Sequence, residues 1–167
     1  MTEKTETLDS DEKVRSALVR PLEAGDEAVW CTHWLAYCEF YKQSIPDEVT
    51  KNTWERILSD DPSLNGLAVL DTEGKMQGFA HYVLHPGTWS PKTLCYLEDL
   101  FVSPLVRGAG FGRAVIDHLL SLAHRNDWDR LYWVTENTNT TARRLYDRYT
   151  EADEYVRYVV RPSGFKP

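Results

Sequence analysis

The spacing of apolar residues changes period several times along the chain, and each change marks the edge of an element. Ser16–Pro21 (Ser-Ala-Leu-Val-Arg-Pro) reads as a short first strand. Gly25-Asp26 closes a turn and caps a helix from Ala28, in which Trp30, Trp34, Tyr37 and Tyr41 recur at helical spacing. Pro46-Asp47 opens a second helix to about Ser59, with Val49, Trp54, Ile57 and Leu58 on its apolar face; Asp60-Asp61-Pro62 stops it. The pattern then alternates. Gly66–Leu70 and Met76–Leu84 are strands joined by a hairpin turn at Asp71-Thr72-Glu73-Gly74. After a loop over 86–91, Leu94–Val102 is β-branched, aromatic and apolar enough for a buried strand, closed by Pro104. Helical spacing returns at Val115, Ile116, Leu119, Leu120, Leu122 and Ala123. Leu131–Thr135 is a short buried strand, Thr138–Arg148 a helix and Glu154–Arg161 a final alternating strand. Hairpins followed by strand, helix, strand, helix predict a mixed α/β sheet in one domain over 14–167. Residues 1–13, charged and rich in hydroxyls, are expected to be a disordered acidic tail.

The glycines between Val102 and Val115 change the picture from fold to function. Gly108, Gly110 and Gly112 alternate with Ala109 and Phe111 between a strand and a helix start, flanked by Arg107 and Arg113. First-turn N–H groups lack helical acceptors and sit at the positive end of the helix dipole, and glycine lets a ligand approach the backbone. The expected ligand is a phosphate or pyrophosphate. A Walker A loop is excluded, because Gly112 is followed by Arg113 and Ala114 where that loop needs Lys and Ser or Thr. A dinucleotide fingerprint is excluded too, since Arg113 stands where its third glycine belongs and no acid ends the next strand.

Charge and cysteine content narrow the partners. Net charge is −7, of which −3 lies in residues 1–13. That balance argues against nucleic acid, which requires a basic face. It suits a cationic small substrate and equally suits ordinary solubility charge. No apolar run approaches the roughly 20 residues a membrane helix needs, and the polar start is unlike a signal peptide. Three cysteines, Cys31, Cys38 and Cys95, give no disulfide framework and suggest a reducing compartment, hence a cytoplasmic protein. His81 and His85 lie in a strand-like segment without partners at metal spacing, so no metal is expected.

Glu98 and Asp99 are adjacent carboxylates inside an otherwise apolar strand. Burying them is costly, which points to a role for at least one. In a regular strand they face opposite sides, so only a bulge brings both to one pocket. The aromatic stripe of the first helix is mostly core, but Tyr37 and Tyr41 lie where it runs out into an aromatic-rich loop.

Arg107-Gly108-Ala109-Gly110-Phe111-Gly112 resembles the acetyl-CoA pyrophosphate loop (Arg/Gln-x-x-Gly-x-Gly/Ala) of the GNAT family of N-acetyltransferases. Tyr96-Leu-Glu-Asp-Leu-Phe-Val102 is similar to the fourth strand of the spermidine/spermine acetyltransferases and of the yeast histone/polyamine acetyltransferase-like subfamily. Asn139-Thr-Thr-Ala142-Arg-Arg-Leu145-Tyr146 resembles the family's Asn-x-x-Ala-x-x-Leu/Phe-Tyr helix. The resemblance runs from about Val19 to Arg161 and is most specific from Tyr96 to Tyr149. The chain departs from it at Tyr149-Thr150-Glu151-Ala152, where the family usually has a glycine.

The resemblance implies the GNAT acyl-CoA N-acyltransferase fold, a central mixed sheet flanked by about four helices. It implies transfer of an acetyl group from acetyl-CoA to a primary amine of a small cationic acceptor, a polyamine or an amino-acid-like molecule, through a ternary complex. No cysteine sits where a covalent intermediate would need it. A protein or histone lysine as acceptor, or a non-catalytic acyl-CoA-binding regulatory module, are the alternatives. By resemblance the coenzyme lies against Arg107, Gly108, Ala109, Gly110, Phe111, Gly112 and Arg113, the backbone of Phe101 and Val102, and Asn139, Ala142 and Arg143. Tyr146 is then the acid toward the departing sulfur, since a phenol near pKa ~10 is protonated at neutral pH. Glu98 is the base, acting through water, and Asp99, Tyr37 and Tyr41 meet the acceptor; which carboxylate is the base stays open from the residues alone. Many relatives dimerise through their last strands, so a homodimer through Tyr155–Val160 is expected, in the cytoplasm or also the nucleus.

Overall fold

A computed structural model describes residues 17–162. The expected tail over 1–13 lies outside them. The chain falls into two compact units, the first ending at Val134 and the second beginning at Thr135.

The first unit is built on a five-stranded sheet. Its strands are β1 (Leu18–Pro21), β2 (Leu64–Leu70), β3 (Met76–Pro86), β4 (Thr93–Val102) and β5 (Arg130–Trp133), side by side in that order. The first four are antiparallel and β5 runs parallel to β4, so the sheet is mixed, as expected. The β4–β5 crossover is α3 (Phe111–Arg125), consistent with the helix a parallel connection requires. Ahead of β2 stand α1 (Glu27–Phe40) and α2 (Asp47–Ile57). Asp26 fixes the entry to α1: it accepts both terminal nitrogens of Arg20, at 2.6 and 2.9 Å, and the Glu23 N–H at 2.9 Å.

The sheet is buried on both faces, which explains the unbroken apolar runs of β2 and β4. On one face Trp30, Trp54 and Ile57 of α1 and α2 pack on Ala68, Leu70, Phe79 and Phe101. On the other, Phe111, Val115 and Leu119 of α3 pack on Leu67, Val69, Ala80, Tyr82, Cys95 and Leu97. Burying each such side chain is worth about 1.5–3 kcal/mol. The aromatic stripe of α1 is therefore mainly core: Trp30 is 1% exposed and is tilted against Trp54 at 4.8 Å.

β3 and β4 approach very closely. A Cβ on Gly78 would meet the Phe101 carbonyl oxygen and lie 3.1 Å from the Val102 Cα. Gly78 pairs with Val102, so glycine is what lets the end of β4 seat against β3. The turn that follows is tied down as well: Ser103, buried, donates its N–H to the Gln77 carbonyl at 2.8 Å.

The second unit holds α4 (Thr140–Tyr146), shorter than the helix expected over 138–148. Residues 154–161 form no strand, and Tyr155, Val156, Tyr158, Val159 and Val160 are exposed. This corrects the expected final strand. Alternation in sequence is a property of one segment, whereas a strand exists only when its N–H and C=O groups are paired with another.

Two outcomes follow from the packing. Gly78→Ala should destabilise the fold by about 1–3 kcal/mol, read as a shift of the urea midpoint with unchanged slope. Burial pushes the Cys95 thiol up to about 12, favouring its neutral form. At pH 8 a maleimide should therefore label half-buried Cys31 while sparing Cys95 until denaturant is added, as mass spectrometry would show.

Candidate active site

The β3–β4 ladder slips by one residue. Asp99 pairs with His81 and Leu97 with Tyr82, leaving Glu98 as an extra residue in a bulge. This is the circumstance in which adjacent carboxylates need not point apart. Asp99 lies on the α1 face with Phe101, its side chain 16% exposed, and Glu98 is exposed. Both charges reach the same phenol. The Tyr37 hydroxyl is raised well above the ordinary tyrosine range by burial first, then by the Asp99 charge and hydrogen bonding to Asp99, with a smaller push from Glu98. Tyr37 is therefore a protonated group beside a carboxylate.

Aromatic rings wall this carboxylate. Tyr37 stands edge-on to Tyr41 at 5.0 Å and to Phe101 at 6.4 Å, and stacks on Trp34 at 5.7 Å. A carboxylate beside a cluster of aromatic rings has the chemistry of an ammonium site, where ion pairing and cation–π attraction act together. Tyr37, Tyr41 and Asp99, singled out in the sequence, thus come together in the first unit.

A second polar cluster lies where β4 meets β5. Tyr132 stacks on Tyr96 at 5.0 Å, and its hydroxyl is 2.8 Å from His85 Nε2. His85 Nδ1 lies 3.0 Å from the Pro86 carbonyl, which can only accept; Nδ1 therefore carries the hydrogen and Nε2 accepts from Tyr132. Burial raises the Tyr132 phenol, and the Glu98 charge adds to the rise.

β4 and β5 pair only from Leu94–Arg130 to Leu97–Trp133. Beyond the bulge, β4 continues to Val102 with no strand among the described residues on that edge. The main chain of Phe101 and Val102 lies there, while the Phe101 side chain is core. The chain next makes a 3-10 turn at Pro104–Val106 and passes through Gly108 (φ +83°) and Gly110 (φ +89°), left-handed conformations that suit glycine. Gly110 caps α3, and the first α-helical bond is Ala114 N–H to the Gly110 carbonyl at 3.0 Å. The Phe111 and Gly112 amides precede that bond and, in the first turn, have no acceptor within the helix. A Cβ at Gly108 would meet nothing within 4 Å, so the loop is open there.

Side chains refine the roles expected here. Phe111 is 7% exposed in the core, which leaves only its amide for a ligand. Arg107 lies over the Phe40 ring at 5.8 Å and donates from Nε to the Val102 carbonyl at 3.3 Å. Arg113 pairs with Asp117 one turn along α3 at 3.5 Å.

In the second unit, Asn139 is the N-cap of α4, its Oδ1 accepting from Ala142 N–H at 3.2 Å. The helix expected from Thr138 therefore begins at Thr140: Asn139 stands at its cap, and Ala142 and Tyr146, four apart, share a face. Arg143 donates to the Asn137 carbonyl at 3.3 Å.

Sequence reasoning missed His81 as a partner of Asp99, and Trp30 as a partner of His81. The Trp30 Nε1–H donates to His81 Nε2 at 2.9 Å, and His81 Nδ1 lies 2.9 Å from Asp99 Oδ2. The available signal was a histidine in a buried strand facing an acid in the next.

Known proteins match this architecture. The sequence model of the Acetyltransferase (GNAT) family matches residues 27–150. The chain is similar to the D-amino-acid N-acetyltransferase HPA3 of Saccharomyces cerevisiae, 34% identical over 142 residues that cover 84% of this chain and 88% of that protein. It is also similar to an uncharacterized N-acetyltransferase, YhfO, of Bacillus subtilis, 27% identical over 84% of this chain and 94% of that one. Among solved structures, the fold is like that of a ribosomal-protein-alanine N-acetyltransferase from Brucella melitensis, with a TM-score of 0.73 and 20% identity over 87% of this chain and 99% of that chain.

Proposed function

Because the chain belongs to the GNAT family of acetyltransferases and is an acetyl-transferring enzyme, we propose that it carries an acetyl group from acetyl-CoA to the primary amine of a small cationic acceptor, polyamine or amino-acid-like, by direct attack in a ternary complex. The observation that carries this reading is the open edge of β4 leading into left-handed Gly108 and Gly110 at the head of α3. A coenzyme with a diphosphate and an amide-bearing arm needs such a pair of features: first-turn amides without helical acceptors, and beside them a strand edge that no neighbouring strand covers.

When bound, acetyl-CoA would supply a thioester carbonyl. Its diphosphate would meet the amides of Gly108, Ala109, Gly110, Phe111, Gly112 and Arg113, with Arg107 at the edge. Its arm would lie along the main chain of Phe101 and Val102, with Ala142, Asn139 and Arg143 serving it by resemblance. Asp99, Tyr37 and Tyr41 hold the acceptor's positive charge. Glu98, exposed in the bulge, takes a proton from the ammonium through water. Tyr146 protonates the departing sulfur. The catalytic domain spans 14–167 in this reading, and the family match covers 27–150 of it. A homodimer through Tyr155–Val160 and a cytoplasmic location belong to the same proposal. The exposed apolar run at 155–160 supports the first. No helix among the described residues is long and apolar enough to cross a membrane, which accords with the second.

An amino-acid acceptor is favoured over a longer polyamine by one finding, that the yeast relative is a D-amino-acid N-acetyltransferase. A panel of D-amino acids and polyamines, assayed for free CoA, separates them; tight CoA binding with no amine turned over would overturn the enzymatic reading. Tyr146→Phe should lower kcat about 100-fold while leaving CoA affinity within about twofold by calorimetry. Glu98→Gln should lower kcat/KM at neutral pH by about 10–100-fold. That deficit should shrink as rising pH supplies free amine, and a pH-independent deficit would contradict the assignment.

A further inference from the structure

We propose that His81 is a positioning residue of the acceptor site: locked in one tautomer by Trp30, it holds Asp99 as an uncompensated carboxylate and so selects acceptors that present an ammonium group. The inference rests on the acceptor-site reading above and deepens it.

The direction of each hydrogen bond is forced. An indole N–H donates and never accepts, so His81 Nε2 carries the lone pair in its 2.9 Å contact with Trp30 Nε1. The hydrogen of the neutral ring then lies on Nδ1, aimed at Asp99 Oδ2 at 2.9 Å. A doubly protonated ring would set an Nε2–H against the Trp30 N–H, two donors with no acceptor between them. The ring therefore donates to Asp99 without contributing a positive charge to it.

The placement of the members gives this chain of donors its meaning. Trp30 and His81 are each 1% exposed and lie among Trp34, Trp54 and Phe79. Apolar residues of similar volume could fill that space without the exacting requirement for matched hydrogen bonds. Of the three, only Asp99 reaches solvent, and it does so beside Tyr37. Among the described residues Asp99 has no lysine or arginine within ion-pair distance, and the neighbouring groups whose electrostatics involve it are Tyr37 and Cys38 on α1, with Tyr41 and Glu98 acting on the same Tyr37 phenol. None of these is a cation. The positive partner of Asp99 must come from outside, and a substrate ammonium supplies it.

Nuclear magnetic resonance of the 15N-labelled full chain should show His81 as the Nδ1–H tautomer at neutral pH. For His81→Leu, KM for 1,4-diaminobutane should rise about tenfold with kcat little changed, and KM for methoxyamine, uncharged at neutral pH, should stay put. His81→Gln presents a carbonyl to Trp30 and an amide N–H to Asp99, and should restore most of the selectivity. Should His81→Leu fail to fold, Trp30→Phe reads the same relay, with a smaller selective rise in KM. An Nε2–H tautomer, equal effects on both amines, or no rescue by glutamine would each overturn the proposal. A wild-type chain that acetylates neither amine removes the diamine as an acceptor and leaves acetyl transfer to other amines standing. Calorimetric titration of the diamine into wild type and His81→Gln then tests the relay without turnover: tight binding in both supports it, and no diamine binding to wild type overturns it.

Discussion

Asp99 stands opposite His81 because the β3–β4 ladder slips by one residue at Glu98. The rest of the site depends on that slip. It releases one carboxylate from the ladder and sets the other on the α1 face, against a ring that can donate to it. The same pair of strands is drawn together at its far end by Gly78, which removes the Cβ that would otherwise strike the Phe101 carbonyl. β4 is thus irregular where chemistry is expected and held closely on either side. A half-exposed polar site can keep its shape only with such support, because its own contacts with water restrain it little.

Burial on both faces explains why the glycine loop can remain open. Phe111 drives its ring into the cluster with Val115 and Leu119, and Ser103 fastens the preceding turn to β3. With the helix anchored by its side chains, its first-turn amides are held in place without a ligand. Preorganised donors of this kind interact strongly with an anion because little reorganisation opposes binding. The parting of β4 from β5 after Leu97 adds beside them a main-chain edge that no strand among the described residues covers.

Much of this was legible in the residues. β3 starts at Met76 as expected, α2 at Asp47, and the glycines mark the β4–α3 turn. These features are local: a period, a cap, a left-handed turn. The misses are relations between distant segments. Trp30 and His81 are 51 residues apart, and nothing in either neighbourhood announces the other. Residues 154–161 alternate like a strand yet pair with none, since alternation describes a face and pairing needs a neighbour. The helix expected over 138–148 includes Asn139, whereas asparagine at a helix start satisfies the free amides and remains outside the helix.

The bulge has a corollary for how this strand can vary. Cys95 and Leu97 before it face α3, Asp99 and Phe101 after it face α1, and the two series are in phase as though Glu98 were absent. The core places no demand on that position. A lineage could delete it, keep every buried side chain on its own side, and be left with a regular sheet that no longer carries a second acid. Glu98 is in that sense an insertion the scaffold tolerates, and reactivity can be revised there without renegotiating the fold.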